Sequence, residues 1–264
     1  MQDLNVTIVQ SFLHWGDKKQ NLEQFEKYLA SANGSHLVVL PEMFSTGFIT
    51  DPAPHAEEEN GPVLEWMKEQ ASKNSFVVTG SIIVNSDNKY YNRLYWVRPD
   101  GSYEYYDKRH LFRMAGEDEK FSYGRSKLIV TLNGWKILPL ICYDLRFPVW
   151  SMNRYLQGDY EYDLLIYVAN WPQSRNHVWK SLLTARAIEN QVYVIGVNRI
   201  GKDNNGIEHS GDSSVIGPKG HPIIKMPPLR QAIESASLSY RELNEFRAKF
   251  TVGLDWDHYK LDLD

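Results

Sequence analysis

The sequence predicts an α/β fold in which two β-sheets pack face to face and helices cover their outer faces. Three observations carry that expectation. Many short runs are rich in β-branched and aromatic residues, and several are apolar throughout, as expected of strands covered on both sides. Only four or five segments have the 3- and 4-residue apolar spacing of an amphipathic helix. No internal repeat, low-complexity stretch or linker interrupts the 264 residues, so one domain over 1–264 is expected.

Residues 4–9 form a β-branched run and read as the first strand. Residues 17–32 place Leu22, Phe25, Leu29 and Ala32 on one helical face, and Gly34 is positioned to end that helix. The apolar run 37–40 reads as a buried strand ending at Pro41-Glu42, with an irregular segment behind it to residue 60. Gly61-Pro62 opens a second helix, with proline in its first turn and Val63, Met67 and Ala71 on a shared face. Strand signals return over 76–84 and over 90–97, the latter paired with 102–107 across Arg98-Pro99-Asp100-Gly101. Lys108 follows directly, and the polar stretch 109–123 is a loop of a length usually kept for function.

Asn133-Gly134 joins 128–132 to 135–141 as a hairpin. The second of these strands ends on Cys142, the only cysteine, and a helix is expected from near Pro148 to about Gln157-Gly158. Residues 164–168 and 192–197 read as strands, separated by a helix over 178–190 with Val178, Leu182, Ala185 and Ile188 facing inward. A hairpin over 213–216 and 222–225, a strand over 231–237, and a helix capped by Ser239 and Glu242 and carrying Leu243, Phe246 and Phe250 complete the regular structure. The tail, 251–264, holds Leu254, Trp256, Tyr259, Leu261 and Leu263 among acids, and is expected to dock either on its own subunit or on a partner.

Composition narrows the function. A net charge of −4 gives no basic stripe for nucleic acid. The first ten residues lack a basic region followed by an apolar run, so no signal peptide is expected, and no apolar run approaches the ~20 residues of a membrane span. One free thiol suits a reducing compartment, and a cytoplasmic protein is expected. A single cysteine and eight scattered histidines, of which only His209 and His221 are near each other, give no metal site. The motifs of serine hydrolases, phosphate-binding loops, dinucleotide folds and zinc proteases are missing.

A lone cysteine is ordinarily a small buried hydrophobe. Here it ends an apolar run beside charged residues, and Glu42 and Lys108 likewise lie just past strands, where α/β folds build ligand sites. Taken singly, Glu42 reads equally as a solvated strand end and Lys108 as a surface charge. Together they form a coherent set. A thiolate is the nucleophile, a nearby ammonium lowers its pKa, and a carboxylate takes the thiol proton and returns it to a leaving amine. The lysine and the backbone N–H of Tyr143 can stabilise an oxyanion. These are the parts for acyl transfer from an amide or nitrile through a thioester.

Leu-Pro-Glu42, Tyr-Asp-Lys108-Arg-His-Leu and Ile-Cys142-Tyr-Asp-Leu-Arg-Phe-Pro, in that order, resemble the nitrilase, or carbon–nitrogen hydrolase, superfamily. The resemblance implies a four-layer α-β-β-α sandwich and a Glu-Lys-Cys triad, with Glu42 as base, Lys108 as oxyanion stabiliser and Cys142 as nucleophile. It also implies a second glutamate after the lysine. Glu117 fits that place and Glu119 competes, with Gly116 favouring the former. Met-Phe-Ser-Thr-Gly-Phe after Glu42, and Ala-Asn-Trp-Pro followed by Ala-Arg-Ala-Ile-Glu-Asn-Gln, resemble the bacterial omega-amidase branch, whose substrates are 2-oxoglutaramate and 2-oxosuccinamate. Such substrates need a cation for their carboxylate. Arg175 ranks first on location, followed by Arg146 and Arg113, each with a salt bridge as its competing role. Arg186 and Glu189 read as a structural pair. Phe44, Phe48 and Trp171 are expected either to wall a small pocket or to belong to the core. The expected partner is a small amide substrate, with no cofactor required, and the family implies a homodimer. Nitrile, carbamoyl-amine or other aliphatic amide hydrolysis on the same triad, and a non-catalytic reactive-thiol protein, are the competing readings.

Overall fold

In the computed structural model, which describes residues 1–262, neighbouring residues of one strand feed two different cores. Leu37 and Val39 enter a core between two sheets, whereas Val38 and Leu40 enter a core beneath helices. Side chains of a strand alternate faces, so a strand covered on both faces needs an unbroken apolar run. Each fully buried aliphatic side chain there contributes about 1.5–3 kcal/mol.

The first half of the chain comprises β1 (Leu4–Gln10), α1 (Lys18–Leu29), β2 (Leu37–Val39), β3 (Glu57–Glu58), α2 (Pro62–Asn74), β4 (Val77–Ser86), β5 (Lys89–Val97) and β6 (Tyr103–Asp107). Then follow α3 (Glu117–Lys120), β7 (Val130–Leu132), β8 (Trp135–Ile141), α4 (Pro148–Ser151), β9 (Tyr155–Leu156), β10 (Asp159–Tyr160) and β11 (Leu164–Ala169). The last part comprises α5 (Asn176–Asn190), β12 (Tyr193–Asn198), β13 (Ile200–Lys202), β14 (Glu208–Ser210), β15 (Ser214–Ile216), β16 (Pro222–Lys225), β17 (Ala232–Leu238) and α6 (Tyr240–Lys249).

One sheet has the order β17-β1-β2-β4-β5-β6, with β3 beside β4, and the other has the order β16-β15-β12-β11-β8-β7. Helices α1 and α2 cover the first sheet through Phe25, Leu29, Leu64 and Met67. Helix α5 joins the core of the second through Trp179, Leu183 and Ala187. The result is the expected four-layer arrangement. Strand β17 returns from the far end of the chain to pair antiparallel with β1, Leu4 opposite Leu238, tying the two halves together. In the second sheet β8, β11 and β12 run parallel, so their C-terminal ends share one edge.

Two local expectations are corrected. The chain after Cys142 is not one helix to residue 157: a 3-10 turn over Cys142–Arg146 leads into the four-residue α4, then a two-stranded ribbon of β9 and β10. Gln157 and Gly158 both take positive φ, 54° and 85°, the signature of a tight hairpin turn. In α5 the buried face is Trp179, Leu183, Arg186, Ala187 and Asn190, and Ile188 is exposed. Gly196 of β12 explains the rotation, because a Cβ there would lie 2.4 Å from Leu183 Cδ1 and 2.9 Å from Trp179 Cζ2. Arg186 is paired with Glu189 at 2.7 Å and also donates to Leu145 O at 2.6 Å. The tail docks in part on its own chain: Trp256 packs edge-on against Tyr160, and Tyr259 donates to Val149 O at 3.0 Å. Leu261 packs on the inter-sheet core and Leu254 is exposed, while Leu263 lies outside the described residues. No helix among the described residues is long and apolar enough to cross a membrane.

Candidate active site

Glu42 stands three residues past β2, and the chain turns sharply at Met43, whose φ is 44°. Ser81 Oγ accepts the Met43 N–H at 2.9 Å and fixes the turn. The turn separates two neighbours. Glu42 faces Lys108, whereas Phe44 is carried beneath the helices, packed on Phe25 and Trp66 at ring distances of 5.5 and 5.9 Å. Phe44 is therefore core and lines no part of the site, and Phe48 takes the wall position instead.

Lys108 follows β6 and is held at both backbone ends: its N–H donates to Asn92 O, and its carbonyl accepts from Gly124 N, each at 2.9 Å. Its Nζ donates to Glu42 Oε1 at 2.9 Å and to Glu117 Oε1 and Oε2 at 3.0 and 2.9 Å. Burial opposes the ammonium, but Glu117, Glu42 and Cys142 outweigh it and hold Lys108 charged, its pKa above the ordinary lysine range. Glu117 opens α3 after Gly116, which has φ 70°, and its Oε2 accepts the Phe112 N–H at 2.6 Å. Burial raises the Glu117 pKa, Lys108 lowers it, and Glu42 adds to the rise. Glu119, the competing candidate, is exposed.

Cys142 takes φ 42°, a conformation that side chains other than glycine rarely adopt. Asp144 braces this turn: Ile141 N donates to its Oδ2 and His110 N to its Oδ1, both at 3.0 Å, and Tyr106 Oη donates at 2.8 Å. Tyr143 is the second residue of the 3-10 turn, where a backbone N–H has no intrahelical acceptor. Lys108 lowers the thiol pKa, as expected from the sequence, but it does not set the net direction. Burial, then the charge of Glu42, raise it well above the ordinary value, and Lys108 offsets only part of that. The resting sulfur is a thiol, so its proton must leave as the bond to carbon forms.

Lys108, Cys142 and Asn170 line a cavity of about 290 Å³, walled by Phe48, Phe112 and Trp171. Tyr143, Arg146 and Arg175 also line it. Arg146 lies 5.1 Å from the Trp171 ring and Arg175 5.4 Å from the Phe112 ring. Among the described residues no carboxylate pairs with Arg146 or Arg175, and their guanidinium groups make no hydrogen bond. Arg113, by contrast, points away, 85% exposed and 3.3 Å from Asp118.

Two site residues escaped the sequence reading. Asn170 N–H donates to Glu42 Oε2 at 2.8 Å, and its Nδ2 to Glu42 O at 2.6 Å. Asn92 Nδ2 donates to Glu42 Oε1 at 2.8 Å. The available signal for Asn92 was a polar side chain in register with Leu94 and Trp96, which face the inter-sheet core.

Residues 5–247 match the family model described as carbon-nitrogen hydrolase. The chain is 44% identical over 262 residues to omega-amidase YafV of Escherichia coli K12, covering 99% of this chain and 100% of that protein. It is 30% identical to the 2-oxoglutaramate amidase of Bacillus subtilis, covering 98% of each. The crystal structure of XC1258 from Xanthomonas campestris, a CN-hydrolase superfamily protein with an arsenic adduct in its active site, superposes with a TM-score of 0.97 at 40% identity, covering 99% of this chain and 100% of that one.

Proposed function

The chain belongs to the carbon–nitrogen hydrolase family, and from that premise we propose an omega-amidase that hydrolyses the terminal amide of small omega-amido-2-oxo acids. The products are a 2-oxo dicarboxylic acid and ammonia. One observation carries the reading: Glu42, Lys108 and Cys142 meet at a small cavity whose two arginines, Arg146 and Arg175, pair with no carboxylate among the described residues.

In this reading Cys142 Sγ attacks the amide carbon as Glu42 takes the thiol proton. The Tyr143 N–H and Lys108 Nζ, which releases one of its two contacts with Glu117, take the developing oxyanion, a type of contact worth about 2.7–4 kcal/mol per donor in comparable sites. The C–N bond breaks as Glu42 returns the proton to nitrogen, and ammonia leaves a thioester. Water, deprotonated by Glu42, then splits the thioester and restores the thiol. Glu117 keeps Lys108 charged and aimed. Arg175, with Arg146 beside it, takes the substrate carboxylate. Trp171 and Phe112 place an aromatic ring under each of the two guanidiniums.

We also infer one catalytic domain over the whole chain, a cytoplasmic location supported by the single free thiol, and a homodimer supported by the exposed Ile188, Ile223 and Phe250. Ammonia release from 2-oxoglutaramate, 2-oxosuccinamate, glutamine and asparagine, measured side by side, tests the activity. The two 2-oxo amides are expected to turn over far faster than the two amino acids. Equal rates would remove the 2-oxo group from recognition. Turnover confined to nitriles or carbamoyl-amines would move the enzyme to another reaction on the same triad.

A further inference from the structure

Asn92 is fully buried on β5, and its amide reaches across Lys108 to both carboxylates. Its Nδ2 donates to Glu42 Oε1 at 2.8 Å and lies 3.3 Å from Glu117 Oε1. Among the described residues only Lys108 and Asn92 donate to both acids. The consequence falls on Glu42, whose two oxygens become unlike. Oε1 is held by two donors, Lys108 Nζ and Asn92 Nδ2, and Oε2 by one, the Asn170 N–H. A carboxylate oxygen has about two lone-pair sites. Those of Oε1 are filled, and one of Oε2 is open.

We propose that Asn92 is a positioning residue that closes Glu42 Oε1 to protons, so that Oε2 alone takes the thiol proton and returns it to the leaving nitrogen. The inference rests on the reading of Glu42 as the base. A second observation concerns Oε2: its donor, the Asn170 N–H, belongs to a residue that lines the cavity together with Cys142. A third concerns the other half of the Asn92 amide. Its Oδ1 is buried and has no partner among the described residues, a destabilising arrangement tolerated for the sake of the donor. The donor must also be neutral. An aspartate would press a third negative charge on Glu42 and Glu117, and a lysine would place a second buried cation beside Lys108.

The proton balance is closed. In acylation the S–H bond breaks, an O–H forms on Oε2 and Sγ bonds to carbon. The C–N bond then breaks as the Oε2 proton moves to nitrogen. In deacylation water gives one proton to Oε2 and its oxygen to carbon, the C–S bond breaks, and Oε2 returns that proton to sulfur.

The test is the pH–rate profile for ammonia release from 2-oxoglutaramate by the full chain, wild type against Asn92→Leu, Asn92→Asp and Glu42→Gln, with thermal midpoints measured alongside. Asn92→Leu keeps the branched shape, at a larger volume, and removes the donor. Its kcat is expected to fall about 10- to 1,000-fold, with KM changed less than about threefold. Asn92→Asp faces Glu42, Glu117, Lys108 and the Cys142 thiol, and the acid limb of kcat/KM is expected to move up by about one pH unit or more. A folded Asn92→Leu with wild-type kcat, or an unmoved acid limb in Asn92→Asp, overturns the inference while Glu42→Gln is inactive. If Asn92→Leu does not fold, the Asn92→Asp limb decides alone. An active Glu42→Gln instead overturns the underlying reading of the base.

Discussion

Two parts of the cavity hold their cations in opposite ways. Lys108 is 1% exposed and spends its Nζ donors on Glu42 and on both oxygens of Glu117, at 2.9–3.0 Å. Arg146 and Arg175 line the same cavity, rest on the faces of Trp171 and Phe112, and pair with no carboxylate among the described residues. The lysine is charged and aimed before substrate arrives, whereas the arginines are propped in place with their donors free among the described residues. Groups that act on charge developing in the reaction gain from being fixed beforehand. Groups that select a ligand need bonds still to be made.

Substitutions in the inner cluster break this contrast most severely. Cys142→Ala is expected to abolish ammonia release with the fold intact, as read by circular dichroism. Glu42→Gln and Lys108→Ala should each lower kcat by about 10³-fold or more, and the double variant should be little worse than either, because the three residues act as a unit. Additive losses would separate them. Rim substitutions should change binding instead. Arg175→Ala is expected to raise KM for 2-oxoglutaramate about 10- to 100-fold, the loss of a charge-assisted contact of roughly 1.4–2.8 kcal/mol, with kcat within a few-fold. Arg146→Ala should follow in the same direction. An uncharged short amide should not distinguish either variant from wild type, and a kcat collapse in Arg175→Ala would place that residue in the inner group.

The last effect falls on stability rather than on activity and concerns His209, a buried member of the rim. Burial, and then the charge of Arg199, lower its pKa to about 4 from 6.5. The unfolded chain therefore takes up a proton that the folded chain refuses, and stability falls as pH drops from about 6.5 toward about 4. The full effect is on the order of 3 kcal/mol. His209→Asn should flatten the thermal midpoint over that interval. An equally steep decline would assign the loss to other groups.

The inner cluster was also the part most open to reading from sequence. Glu42, Lys108 and Cys142 each end a strand whose apolar pattern is plain, so their positions followed from the strands. Asn92 escaped because the expected pairing of 90–97 with 102–107 leaves open the register that sets Asn92 beside Lys108. Phe44 was left between pocket and core, and one positive φ at Met43, which sends successive side chains to opposite sides of a sheet, decides for the core. The helix expected to reach residue 157 stops at Ser151, because Gln157-Gly158 makes a hairpin turn that the tyrosines around it can pair across. In α5 the apolar pattern fitted two faces one residue apart, and Gly196 on the opposing strand leaves room for Trp179 and Leu183 of one of them.

The backbone at Cys142 sets reactivity against durability at a single angle. With φ at 42°, this is a position where glycine rests easily and a side chain costs about 1–3 kcal/mol. Asp144, Tyr106 and His110 hold the chain there, so the turn persists whatever residue occupies it. An inert glycine version would have the more comfortable backbone. The working enzyme thus lives slightly above the lowest energy its own scaffold offers, and its nucleophile is the group that keeps it there.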